Sequence, residues 1–161
     1  MRDHPAWNRE RAHAIVAAHR TQRAPLLVVL HALQEEFGYI DEAAVPLLAQ
    51  ELNLSRADVH GVVSFYHDFR RTRPGRHVIK VCRAEACQAM GAEPLAGHIR
   101  RRLGIDFHET TADGAFTLEP VFCLGNCALS PAVMLDGRLL GRIDAEHFDA
   151  LSAACLAEDA R

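Results

Sequence analysis

Four of the five cysteines in this 161-residue chain fall in two short stretches. Cys82 and Cys87 stand as C-x4-C within VIKVCRAEACQAMG (78–91), and Cys123 and Cys127 as C-x3-C within VFCLGNC (121–127). Thirty-five residues separate the two pairs. Paired thiols can close as disulfides, hold a metal ion or an iron–sulfur cluster, or cycle as a redox dithiol. Structural zinc is compatible with the spacing, although small zinc modules usually lean on the metal to fold. A [2Fe–2S] cluster needs four thiolates around an elongated core, which two pairs on neighbouring loops supply, one pair per iron. The spacing is neither plant-type nor Rieske-like, since no Cys-x-His occurs. No C-x-x-C occurs either, so dithiol exchange has little support.

The residues around the thiols favour close backbone approach. Gly125 permits unusual backbone angles between Cys123 and Cys127, so that loop amides can point at sulfur. Ala84, Ala86, Ala89, Gly91 and Ala128 are small. Arg83 is expected either to add positive field near the site or to lie in solvent. Cys155 stands apart in a C-terminal helical stretch and reads as a buried, idle thiol.

The elements that must position these thiols follow from periodicity and turn residues. Residues 77–83 read as a short buried strand, followed by a helix over 85–103 that Pro94 and Gly97 can bend or split. A second strand over 116–122 contains Pro120, which cannot donate a ladder hydrogen bond, so an edge position is expected. Residues 132–135 and 139–143 flank the Asp136-Gly137 turn as a hairpin, and Asp144 caps a last helix to about residue 158. The order is β-α-β-β-β-α. A strand–helix–strand crossover makes its strands parallel, so their carboxyl ends share one edge of the sheet. Topology therefore brings Cys82, Cys87, Cys123 and Cys127 together.

The first seventy residues read as a helical bundle. Asn8 caps a helix over 9–22, and Pro25 opens a second whose face is Leu26, Val29, Leu30, Leu33 and Phe37, stopped by Gly38. Asp41 caps a third helix to about residue 52. Ser55 with Asp58 forms a capping box for a fourth through Val59, Val62, Val63 and Tyr66. The histidines here are scattered and read as surface or core residues. Phe65, Tyr66 and Phe69 are either core or an anchor against a partner. RRTRPGR (70–76) marks a domain boundary, which divides the chain into a helical docking domain, 1–76, and a cysteine-bearing domain, 77–161.

Composition excludes several classes. The net charge of −3 gives no case for nucleic-acid binding. No apolar stretch is long enough to cross a bilayer, so no membrane insertion is expected. The first residues do not read as a secretory signal, which makes the cytoplasm the expected compartment, and there metal ligation is favoured over structural disulfides. The sequence has no dinucleotide fingerprint.

EEFGYI (35–40), GVVSFYHDF (61–69), VCRAEAC (81–87), ADGAF (112–116) and CLGNC (123–127) resemble the thioredoxin-like [2Fe–2S] ferredoxin family, which includes the 24-kDa subunit of NADH:quinone oxidoreductase. The resemblance covers nearly the whole chain. It implies a mixed α/β (α+β) fold, an N-terminal helical bundle before a thioredoxin-like domain. It also implies a [2Fe–2S] cluster on Cys82, Cys87, Cys123 and Cys127, and a strand at the sheet edge over 116–122. Thioredoxin-like proteins often carry a cis-proline where Pro131 stands. SFYHDF with CRAEACQAMGA is most similar to the gamma subunit of cytosolic, NAD-dependent, molybdenum-containing formate dehydrogenases. That implies a flavin- and NAD-binding subunit and a molybdenum-containing catalytic subunit as partners, with one-electron transfer as this chain's share and no catalytic residues of its own. NADH:quinone oxidoreductase, an NAD-reducing hydrogenase, or a structural zinc adaptor are the alternatives.

Overall fold

The structure, a computed structural model, describes residues 4–160. Its contacts divide the chain into two compact units, with the division between Arg73 and Pro74.

The first unit is helical. α1 (Arg9–His19) starts where the Asn8 side chain accepts the Arg11 amide at 2.9 Å, which satisfies one of the orphan donors of a helix start. It ends three residues before the expected 22. Gln22 N–H turns back to the His19 carbonyl, and Ala24 adopts a left-handed φ of 53°. α2 (Pro25–Phe37) places proline where a missing N–H costs nothing, and Gly38 closes it at φ 82°. Asp41 does not cap α3 (Ala44–Glu51) directly. Its carboxylate accepts the Ala43 amide at 2.8 Å, so a side-chain turn forms first and the helix follows. α4 (Arg56–Phe65) opens with both halves of the Ser55–Asp58 capping box.

The apolar faces of these helices meet in one core built on Val16, Val29, Leu30, Leu33, Phe37, Leu48 and Val59. Each such side chain contributes roughly 1.5–3 kcal/mol on full burial. Gln34 ties the segment after α4 back to α2. Its amide nitrogen donates to the Asp68 carbonyl and its oxygen accepts the Arg70 amide, both at 2.7 Å. The aromatic trio divides: Phe69 is buried, whereas Phe65 and Tyr66 are exposed.

The second unit is a five-stranded sheet with helices. β1 (His77–Cys82) leads into α5 (Glu85–Ala89) and α6 (Ala92–Leu103). The expected single helix over 85–103 is thus two, and the break is at Gly91 (φ 92°), not at Pro94 or Gly97. Pro94 falls in the first turn of α6, where no intrahelical N–H bond is lost. β2 (Glu109–Thr110), β3 (Phe116–Val121), β4 (Ala132–Leu135), β5 (Arg138–Gly141) and α7 (Ala145–Asp159) follow.

The strand order is β2-β3-β1-β4-β5; β1 and β3 are parallel and the other pairs antiparallel. β3 is therefore not the edge strand, because the short β2 lies outside it. Phe116 and Leu118 accept on that outer side, from the amides of Thr111 and His108, while Ala115 and Val121 accept from His77 and Arg83. By the same alternation Pro120 faces outward, beyond the end of β2, where no strand asks for its N–H.

Ile79, Val81, Phe116, Leu118 and Val133 share one face of the sheet with Leu95, Ala96 and Ile99 of α6 and Phe148 of α7. The β4–β5 turn has Asp136 and Gly137 at φ 51° and 85°, the pair of positive values a two-residue hairpin favours. Buried His77 lies between Asp136 (Nδ1 to Oδ2, 2.6 Å) and Asp159 (Nε2 to Oδ1, 3.3 Å), and Arg76 bonds Asp159 at 2.6 Å. This network fastens the hairpin turn and the end of α7 to the start of β1.

Candidate metal centre

Parallel pairing sets the site. The register places Cys82, the last residue of β1, opposite Val121, the last of β3. The chain leaves both strands at the same edge, into α5 with Cys87 on one side and into the 122–129 loop with Cys123 and Cys127 on the other. Cys127 opens a 3-10 turn, Cys127–Leu129. All four expected cysteines are therefore brought together, and Cys155 lies apart in α7.

The thiols differ in surroundings. Cys82 and Cys87 are 2% exposed and sit in a small apolar cluster with Ala92 and Ala132, lined by Ala84, Val121 and Leu124. Cys123 and Cys127 are exposed. Phe122 and Leu129, which bracket that pair in sequence, are exposed as well, Phe122 at 75%.

Backbone amides converge on sulfur. Burial works to raise the Cys82 thiol, yet the amides of Ala84 and Leu124, the Cys87 side chain and the Cys123 amide outweigh it, so its pKa lies below the ordinary value. The Gly125 amide donates to Cys123 Sγ at 3.3 Å, with Gly125 at φ 76° and Cys123 itself at φ 111°. A left-handed non-glycine residue is uncommon, and here it turns the loop amides inward. Cys127 is pushed up by its hydrogen bond to Cys123 and by the charges of Cys123, Cys87 and Cys82. The four sulfurs thus lie within electrostatic reach of one another.

The geometry is that of two pairs. Cys82 and Cys87 are in side-chain contact, and Cys123 Sγ and Cys127 Sγ are 3.9 Å apart. Two sulfurs about 2.3 Å from one tetrahedral metal stand about 3.8 Å apart, so the second pair already has the bite of a single metal. Among the described residues no three ligand-type side chains close on one point. One pair with the spacing for a single metal, beside a second buried pair at the same sheet edge, is an arrangement that fits a two-iron cluster. The donor set, four soft thiolates with amide support and a dry inner half, also fits it.

Arg83 does not serve as the free positive field that was one expectation. Its guanidinium bonds both oxygens of Glu93 at 2.8–3.0 Å and stacks over Phe107, 5.1 Å from the ring centroid. A carboxylate held that closely offsets most of its charge at the site.

Two supporting residues escape sequence reasoning. Ser130 is buried and its Oγ lies 3.4 Å from Cys87 Sγ while donating to the Cys127 carbonyl at 2.8 Å. Gly141, at the end of β5, lies against the Cys127 turn: a Cβ there would come within 2.6–2.7 Å of Asn126 and Leu129. Neither stands inside a cysteine motif. A serine followed by proline and a glycine closing a hairpin strand are too common to single out. The bond between Ser130 and Pro131 is cis.

Known proteins resemble this chain along most of its length. The sequence model of the family described as thioredoxin-like [2Fe-2S] ferredoxin matches residues 12–155. A NADH-quinone oxidoreductase subunit of Pseudomonas aeruginosa is 42% identical over 114 residues, 71% of this chain and 69% of that protein. The NADP-reducing hydrogenase subunit HndA of Solidesulfovibrio fructosivorans is 36% identical over 118 residues, 73% of this chain and 69% of that one. In a crystal structure of an air-oxidized NAD+-reducing [NiFe]-hydrogenase, one chain superposes with a TM-score of 0.72 at 28% identity. The match covers 86% of this chain and only 24% of the hydrogenase chain.

Proposed function

This chain belongs to the thioredoxin-like [2Fe–2S] ferredoxin family, and on that premise we propose that Cys82, Cys87, Cys123 and Cys127 hold its [2Fe–2S] cluster, one pair to each iron. The carrying observation is the β1–β3 register, which delivers two thiol pairs to one sheet edge, the outer pair at 3.9 Å. When bound, such a cluster supplies a carrier for one electron at a time. The protein's own share is to bind, bury and bias. Cys82 and Cys87 exclude water from the inner half. The amides of Ala84, Cys123 and Leu124 on Cys82, and of Gly125 on Cys123, stabilise negative charge on sulfur and so raise the potential. The exposed Cys123–Cys127 half offers the short path to a partner.

The chain is an electron-transfer subunit of a multi-subunit oxidoreductase complex, as are the NADH-quinone oxidoreductase and hydrogenase proteins that it resembles. Its parent, in our reading, is a cytoplasmic, NAD-dependent, molybdenum-containing formate dehydrogenase. It exchanges electrons with a flavin- and NAD-binding subunit and shares the complex with a molybdenum-containing one. Support comes from SFYHDF (64–69) together with CRAEACQAMGA (82–92). No helix among the described residues is long and apolar enough to cross a membrane.

The helical unit, in the same reading, is a docking element. Phe65 and Tyr66, 73% and 43% exposed, stack edge to face at the end of α4, and aromatics concentrate at interfaces. Affinity purification of the full chain from its native cells tests the parent: molybdenum in the complex and formate-dependent NAD reduction are expected. A quinone-reducing membrane arm or a nickel–iron subunit in its place overturns the formate assignment and leaves the cluster reading standing.

A further inference from the structure

Among the described residues, Ser130 is the one buried hydroxyl in contact with both halves of the cysteine constellation. Its Oγ is 3.4 Å from Cys87 Sγ, in the inner pair, and 2.8 Å from the carbonyl oxygen of Cys127, in the outer pair. The residue is 7% exposed, so bulk water does not compete strongly for either bond.

A serine hydroxyl has one proton and two lone pairs. With Cys87 as a free thiol, the two bonds are compatible: the thiol proton donates to Oγ, and Oγ donates to the Cys127 carbonyl. A metal-ligating Cys87 has no proton. Its sulfur is then an acceptor only, and Ser130 holds the only proton between two acceptors. The sulfur carries ionic charge and the carbonyl does not, and hydrogen bonds to ionised groups are about twice as strong as neutral ones. Rotation about the Cβ–Oγ bond suffices to move the proton from the carbonyl to the sulfur.

We propose that Ser130 is a positioning and tuning residue of the centre, donating its hydroxyl proton to the Cys87 sulfur and thereby raising the reduction potential. This rests on the reading that the four cysteines hold a [2Fe–2S] cluster. Cys82 takes three backbone amides and Cys123 takes one; Ser130 is the corresponding donor for Cys87, and a side chain, unlike an amide, can be removed by mutation. Added electron density on the cluster strengthens a sulfur-directed hydrogen bond, so the bond favours the reduced form.

The experiment uses the full chain with its cluster assembled anaerobically. Wild type is first checked for two irons and two sulfides; their absence there is a failure of the cluster reading, recorded before any variant is compared. Ser130→Ala, Ser130→Thr and Ser130→Val are then titrated against mediators, with the reduced EPR signal as readout. Threonine keeps the hydroxyl and valine is its shape without it. At the wild-type midpoint the reduced-to-oxidised ratio is expected to fall roughly tenfold in the alanine and valine variants, about 59 mV for a one-electron couple, and to be restored in threonine. Equal potentials in threonine and valine overturn the proposal. So does loss of the cluster from both hydroxyl-free variants with the fold intact, since that makes Ser130 a structural residue and not a tuning one.

Discussion

Gly141→Ala adds one carbon where the structure has no room for it. A Cβ at this position lies 2.6 Å from Leu129 Cβ, 2.7 Å from the Leu129 carbonyl oxygen and 2.7 Å from Asn126 Nδ2. Only the last can rotate away. Ordinary contact begins near 3.4 Å, so β5 and the 126–129 turn must part by about 0.8 Å, against the 2.7 Å hydrogen bond from Arg142 N–H to the Leu129 carbonyl. Forced overpacking of this kind costs about 1–3 kcal/mol. The displaced turn carries Cys127, and metal–sulfur distances tolerate about 0.2 Å. With Cys127 as a cluster ligand, relief of this strain loosens the hold on the cluster. We expect cluster retention to weaken about 5- to 150-fold, the factor equivalent to that energy, with far-UV circular dichroism unchanged. The assay is bleaching of the visible absorbance under a ferrous chelator in anaerobic buffer, with iron and sulfide counted per chain at the start. Gly141 has no positive φ, so backbone conformation does not confuse the result. Wild-type iron content and wild-type bleaching rate in the variant would refute the argument that β5 sets the position of the Cys127 turn.

Other expectations follow from the same contacts. Alanine at Cys82, Cys87, Cys123 or Cys127 abolishes the two-iron signal, whereas Cys155→Ala retains it; iron analysis of the five variants decides this. Arg76, against the opposing effect of burial and with help from His77, holds the Asp159 carboxyl below its ordinary value. A lowered folded pKa gives stability that is present above the unfolded value of about 3.9 and lost as pH falls through the folded one. Melting temperatures of wild type and Asp159→Asn should thus converge as pH falls below about 4 and through the lowered folded value, and parallel curves would contradict the role given to Arg76. Gly61→Ala, in an exposed helix interior with nothing within 4 Å of the new carbon, should stabilise the helical unit by about 0.5–1 kcal/mol, measured by thermal or urea denaturation. Removing residues 1–70, or substituting Phe65 and Tyr66 by alanine, should weaken recovery of the flavin subunit without altering the EPR signal; normal assembly would remove the docking reading.

What the sequence made legible was what local chemistry determines. Asn8, Pro25, Gly38, the Ser55–Asp58 pair and Asp144 sit at helix ends because each satisfies or omits a terminal backbone group, and such signals need no tertiary context. The convergence of the thiols was legible too, since crossover topology alone makes β1 and β3 parallel. Three features were not. β2 is two residues long, too short to show a period, and only its pairing with Thr117 and Leu118 defines it. The 85–103 helix breaks at Gly91 because that residue turns left-handed to begin α6, an angle that a Gly in a helical pattern does not announce. Arg83, Ser130 and Gly141 owe their roles to partners far along the chain or across the sheet, such as Glu93 for Arg83 and Leu129 for Gly141.

The most direct test of the account is EPR on the full chain purified anaerobically, before and after dithionite, with metal analysis of the same sample. The account predicts silence in the oxidised protein, then a rhombic S = ½ signal, with two irons and two sulfides per chain. A colourless protein holding one zinc and giving no signal after iron loss has been excluded would contradict it, and would make the four thiols a structural clamp.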